Sequence, residues 1–187
     1  MTAQQLFLSL RFILNDMERS RFSDYQLTES VNSVLSIINN ALAKSNSELI
    51  TEETDLTLVN GSIDLPADFQ SMVNVFAGTK LLSYQSKSSD SSSNTYRIRG
   101  NKIYSTNETL TIHYKKTFLP LDADDLTVLL PIPDYFSELL KKYTVIIMQG
   151  GISKTETPIV QQISDDVYKL TAGREYSAID FTPTFKV

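Results

Sequence analysis

Few residues of this chain could carry chemistry. It has one histidine, His113, and no cysteine. A histidine serves as a general base only where a neighbour orients it and a substrate reaches it. His113 lies in LTIHYKK (110–116), out of phase with Leu110, Ile112 and Tyr114, and that alternation puts it on the solvated side of a strand. Asp122, Asp124 and Asp125 form an acidic cluster. A calcium loop would add a glycine at its sharp turn and a closing glutamate. Both are missing, so a solvated turn is expected. Gly150-Gly151 follows a helical pattern, whereas a phosphate cradle follows a strand, opens a helix and carries Lys and Ser/Thr at set spacing. The pair reads as a helix stop. The serines of 83–93 have no histidine or lysine at a nucleophile's spacing. No catalytic residue, cofactor or metal ligand is expected.

Binding residues are more in evidence. Arg97, Arg99 and Lys102 cluster with Tyr96 and Tyr104, and cations beside aromatic rings can hold single-stranded nucleic acid. The chain as a whole carries a net charge of −5. Phosphate binding draws its affinity from clustered Lys and Arg, so the patch reads instead as a solvated face or a protein contact. The C-terminal stretch YSAIDFTPTFKV holds Tyr176, Ile179, Phe181 and Phe185 around Pro183. It is too apolar for a solvated tail. It either folds back on its own core or lies along another subunit, exchanging exposed aromatic surface for interface.

These residues need elements to position them. Residues 3–18 show apolar spacing of three and four through Leu6, Leu10, Ile13 or Leu14, and Met17, which predicts an amphipathic helix. Ser23 followed by Gln26 is a capping-box pattern. It opens a second helix with Leu27, Val31, Val34, Ile38 and Leu42 on one face. The short link predicts an antiparallel hairpin of helices. From Thr51 the period falls to two. Leu56 and Leu58 alternate, then Asn60-Gly61, then Ile63 and Leu65. Asn-Gly accepts the positive φ angles of a type I′ turn, which predicts a hairpin. Pro66 ends its second strand, and 72–78 forms a third. Residues 83–95 contain seven serines and predict a loop. Strands resume at Tyr96, turn at Gly100-Asn101, and continue through Leu110, Ile112 and Tyr114. One small, mostly antiparallel sheet of four to six strands is expected. Pro133 suits the first turn of a third helix carrying Phe136, Leu139, Leu140, Tyr143, Ile146 and Ile147. Thr157 and Pro158 open a fourth with Val160, Ile163, Val167 and Leu170.

The fold class is therefore α+β: about four helices, with a β block inserted between helix pairs. The chain of 187 residues is expected to form a single domain. Its parts are a helical body (1–50 and 131–176), a β-rich insert (51–118) and an extended tail (177–187). The absence of cysteine leaves packing or neighbours to supply stability and fits a reducing compartment. The first helix carries Arg11 and Asp16 and lacks a basic start and a cleavage site, so no signal peptide is expected. No apolar run reaches the length of a membrane span.

In order, an N-terminal helical pair, IDLPADF (63–69), YRIRGNKIY (96–104), LTIHYKK with its Tyr114, and LPIPDYFSELLKKY (130–143) resemble the head-to-tail connector, or portal adaptor, proteins of tailed bacteriophages. The likeness covers roughly residues 5–170. It implies a structural virion protein of the neck, assembled in the host cytoplasm, rather than an enzyme. It implies a homo-oligomeric ring, commonly of twelve copies, with the portal protein on one side and a tail or nozzle protein on the other. DNA would pass through the lumen without being read, and an acidic wall suits such sliding. The contact residues would be Asn60, Gly61, Arg97, Arg99, Lys102, Tyr176, Ile179, Phe181 and Phe185. The competing reading is a small α+β enzyme or ligand-binding domain.

Overall fold

The computed structural model describes residues 1–86, 92–150 and 157–175. Two compact units emerge, one from residues 1–47 with 118–187, the other from residues 48–117.

The first unit is helical. Helix α1 (Ala3–Ile13) opens with a capping box: Thr2 Oγ1 accepts from the Gln5 N–H, and Gln5 Oε1 accepts from the Thr2 N–H at 2.9 Å. Helix α2 (Asp24–Lys44) opens the same way from Ser23 and Gln26. The apolar spacing predicted a first helix reaching residue 18, but α1 stops at Ile13. Asn15 takes a left-handed φ of 52°, its N–H donates to Phe12 O, and the Asp16 N–H donates to Arg11 O. This is a Schellman stop, which leaves Met17 exposed. Asn46 (φ 55°) ends α2 with the same pair of bonds, from Asn46 N–H to Ala43 O and from Ser47 N–H to Leu42 O.

Arg11 ties the hairpin of helices together. Its buried guanidinium donates to Asp16 (2.8 Å), Asp24 (2.6 Å) and the Phe22 carbonyl (3.0 Å). Burial pushes the Asp16 carboxyl up. Hydrogen bonds from the Arg21, Phe22 and Ser20 amides and the charge of Arg11 outweigh it, and the carboxyl sits below its ordinary 3.8.

Leu27, Val31, Val34, Ile38 and Leu42 are all fully buried along α2, against α3 (Ser137–Met148) and α4 (Thr157–Glu175). Each such side chain contributes about 1.5–3 kcal/mol by leaving water. On α4 the buried apolar positions are Ile159, Ile163 and Val167, so Ile159 rather than Val160 faces inward. Pro133 opens a 3-10 turn (Asp134–Phe136) that runs into α3, and Gly150 (φ 72°) stops that helix. The connection before α3 straps the bundle. Asn32 clamps Leu121, donating to its carbonyl at 3.0 Å and accepting from its N–H at 2.8 Å. Ala3 and Gln4 donate to Val128 O and Leu126 O, which satisfies two of the orphan amides at the start of α1.

Among its described residues the second unit holds eight strands in two four-stranded sheets, where one sheet of four to six was expected. The strands are β1 (Thr51–Thr57), β2 (Ser62–Asp64), β3 (Phe69–Ala77), β4 (Lys80–Leu81), β5 (Ser83–Tyr84), β6 (Thr95–Arg99), β7 (Lys102–Ser105) and β8 (Thr109–Lys116). One sheet has the order β1-β8-β3-β4 and the other β2-β7-β6-β5. All pairs are antiparallel except β5 with β6. The Asn60-Gly61 turn forms as its residues dictate, with φ of 53° and 75° and reciprocal bonds between Val59 and Ser62. Its two flanking strands do not pair beyond that bridge. β1 joins β8, and β2 joins β7. One core serves both sheets: Leu56, Val75, Leu110, Ile112 and Tyr114 from the first, Tyr96 and Ile103 from the second.

Candidate functional site

The motif residues of the second unit meet one another. The Tyr114 hydroxyl donates to Asp68 Oδ1 at 3.0 Å, the Phe69 ring lies 5.8 Å from the Tyr114 ring, and the Thr117 N–H donates to Asp68 O at 2.7 Å. The Leu65 N–H reaches across to Asn101 O at 2.8 Å, and the Ser105 N–H reaches Gly61 O at 3.2 Å. The segments IDLPADF, YRIRGNKIY and LTIHYKK therefore clasp one another and build the unit. Burial, then the hydrogen bond to Asp68, then the charges of Asp68 and Glu52 push the Tyr114 phenol up to about 12. It stays protonated and donates.

The clasp leaves a concave site of about 250 Å³ beside the Asn60-Gly61 turn. Asn60, Gly61, Tyr96, Arg97, Tyr104 and Ser105 line it with Ser92, Thr95 and Thr106. Of the five contact residues expected in this unit, the structure thus brings Asn60, Gly61 and Arg97 together. Arg99 and Lys102 flank the Gly100-Asn101 turn at the other end of the β6–β7 hairpin. Register places Arg97 opposite Tyr104 and Arg99 opposite Lys102, on the face turned away from Ile98 and Ile103. Lys102 lies 3.6 Å from Asp64. Arg97 is half-buried and makes no ion pair or side-chain hydrogen bond with the described residues. Tyr96 faces the core. Burial and the neighbouring Tyr84, whose ring meets it edge-on at 5.7 Å, push its phenol up. Such a site can hold an anion through one guanidinium and surrounding hydroxyls and amides. It contains no activated nucleophile.

The other candidates resolve into structural roles. His113 projects from the outward face of β8, one-third exposed, with Nε2 3.1 Å from Glu53 and its ring 5.2 Å from Phe76. The acidic cluster closes turns: Asp122 Oδ1 accepts from the Asp124 N–H, and Asp125 Oδ1 accepts from the Thr127 N–H and hydroxyl. The two Thr127 bonds hold Asp125 below its ordinary value. Among the described residues no group of histidines and carboxylates could hold a metal.

One titratable cluster escaped the sequence reading. Tyr143 and Lys142 of α3 both donate to Asp166 Oδ2 of α4, at 2.8 and 2.9 Å. Beside them is an open groove of about 340 Å³, lined by Leu139, Leu170 and the charged Glu138, Lys142, Asp166 and Lys169. Hydrogen bonds to Asp166 and Tyr143 raise Lys142, and bonds from Lys142 and Tyr143 lower Asp166. Burial, then the bond to Asp166, raises Tyr143. Each shift moves its group away from neutrality. An acid or base working near pH 7 needs the opposite, so the trio clamps two helices together. Sequence does not single out Asp166 from Asp165 beside it, and only the packing of α3 on α4 reveals the trio.

A second missed feature is apolar. Leu8, Phe12 and Ile13 of α1, with Met17 beyond it, stand exposed, Phe12 at 76%. Tyr176, Ile179, Phe181 and Phe185 lie outside the described residues. No helix among the described residues is long and apolar enough to cross a membrane.

No curated protein matches the chain. The family model described as SU10 adaptor protein matches residues 1–149. That span takes in α1, α2, both sheets and all of α3. The chain belongs to the SU10 adaptor protein family, a bacteriophage head–tail adaptor family, and is on that account a structural component of the virion neck that contacts other virion proteins.

Proposed function

We propose that the chain is one copy of a ring that joins the portal protein to a tail or nozzle protein and surrounds the passage for DNA. The observation that carries the reading is the family match across residues 1–149, which spans both units. Two further features support it. Leu8, Phe12 and Ile13 of α1, with Met17 beyond it, stand exposed together and suit burial against a neighbour. The net charge of −5 suits a wall along which a polyanion slides. In this reading the helical unit packs side by side with its neighbours, and the β unit is a contact surface rather than the housing of an active site. Residues Tyr176, Ile179, Phe181 and Phe185 dock the end of the chain on the portal or on a neighbouring copy.

Negative-stain imaging and native mass spectrometry of the chain mixed with the portal protein test the proposal. Rings seated on the portal are the expected result. A chain that remains monomeric and never binds portal overturns it.

A further inference from the structure

The two sheets of residues 48–117 share one core, so each turns its other face outward. Among the described residues, the outward face of β2-β7-β6-β5 carries Arg97, Arg99 and Lys102 against one acid, Asp64. The outward face of β1 carries Glu53 and Asp55, both exposed, Glu53 at 68%. Each carboxylate is held by one neighbour on β8, Glu53 by His113 and Asp55 by Thr111, and Lys115 is the cation on that face. Arg97 and Arg99 stand two residues apart on their strand, as Glu53 and Asp55 do on theirs. Strands rise about 3.3 Å per residue, so both pairs repeat at the same interval of about 7 Å. β1 is also the edge of its sheet, open to approach.

We infer that the Arg97–Arg99 face of one copy receives the Glu53–Asp55 face of a second copy. This rests on the reading of the chain as a ring subunit and names one of its contacts. The occupant follows from charge. Copies that each carry −5 repel one another, and a concentrated basic face on an acidic chain is where that repulsion reverses. The half-buried Arg97, beside its concave site and without a partner among the described residues, is the cation best placed to take a carboxylate. The two faces look away from the same core, so a copy can use both at once. Contacts of this kind run head to tail and close into a ring where the rotation between successive copies allows it.

The test uses the full chain, which has no cysteine of its own. Thr95→Cys, beside Arg97 on the basic face, is mixed with Thr57→Cys or Thr51→Cys, which flank the acidic pair. Facing sheets stand about 10 Å apart and a disulfide needs Cα atoms within about 7 Å, so a short bismaleimide is the linker. The expected product is a crosslinked heterodimer in excess of random pairing, in one of the two mixtures. It should be lost at 1 M salt, where the screening length falls to about 3 Å. Adding Arg97→Gln and Arg99→Gln should abolish it, and adding Lys44→Gln on α2 should leave it intact. Random pairing in both mixtures, or a product indifferent to salt and to the two arginines, overturns the inference. Rings on the portal without the heterodimer sink this contact alone. The heterodimer without rings leaves the contact standing and sinks the ring.

Discussion

Replacing Tyr114 by Phe removes one hydroxyl and keeps the ring that packs on Phe69. What is lost is the 3.0 Å bond to the Asp68 carboxylate. A hydrogen bond to a charged group contributes about 1.5–3 kcal/mol when well shielded. Tyr114 is buried, but Asp68 is only half-buried, so the structure argues for the lower part of that range, about 1.5–2 kcal/mol. Asp68→Ala, which removes the acceptor, should cost a similar amount. The double variant should cost little more than either, because both single changes remove the same bond.

The dependence on pH separates the bond from mere packing. The folded phenol holds its proton to about 12, against an ordinary 10.0. The group's pKa is raised on folding, so its contribution is complete below pH 10 and disappears as pH rises through 12. The chain has nine tyrosines, so the informative quantity is the difference between the natural chain and Tyr114→Phe. Urea unfolding followed by circular dichroism should show that difference constant from pH 7 to 9.5 and shrinking above pH 10. Additive single costs, or a Phe variant within about 0.5 kcal/mol of the natural chain at pH 7, would refute the clasp.

Gly61→Ala and Gly100→Ala each force an L-residue to a φ near +60–75°, at a cost of about 1–2 kcal/mol. The added Cβ at 61 also meets the Ser105 carbonyl at 3.3 Å while that at 100 meets nothing, so Gly61→Ala should melt lower of the two in thermal scans. Asp16→Asn should flatten the acid limb of stability: the natural carboxyl, depressed on folding, stabilises above its ordinary 3.8 and loses that contribution as pH falls through its folded value, and a variant with an unchanged acid limb would contradict this. Deleting residues 177–187 should leave helix content by circular dichroism nearly unchanged while weakening assembly on the portal, and loss of folding would place the tail in the core instead.

Features governed by neighbours in sequence were legible. The Ser23–Gln26 box, the Asn60-Gly61 turn and the Gly150 stop all formed where their residues stand. The Thr2–Gln5 box and the asparagine stops at Asn15 and Asn46 obey equally local rules and could have been read. Partner choice between strands was not legible. A turn type fixes the angle at which the chain leaves, but not which distant strand then takes each arm, and β1 and β2 part after their turn for that reason. The helical trio Lys142–Tyr143–Asp166 was hidden in the same way. The basic hairpin reads in sequence as one patch, and register keeps Arg97, Arg99 and Lys102 on one face, but only Arg97 lines the concave site while Arg99 and Lys102 flank the far turn.

Backbone strain commonly gathers where a protein does chemistry. Among the described residues the left-handed positions are Asn15, Arg19, Asn46, Asn60, Gly61, Gly78, Gly100 and Gly150. Asn15, Asn46 and Gly150 each end a helix, and Asn60-Gly61, Gly78 and Gly100 each turn a strand. Arg19 sits in the link between α1 and α2, where its N–H donates to Asp16 O and its guanidinium approaches Asp24 at 3.6 Å. Every one of these conformations thus has an architectural reason. The titratable clusters behave alike: those around Asp16 and Asp166 hold their ionised forms and join helix to helix. Among the described residues strain and ionisation are both committed to holding shape, and in the proposed ring the described residues that meet other molecules are outward ones: the α1 stripe, the Arg97 face and the acidic edge of β1. Specificity for the neighbours in that ring has to be sought on those faces.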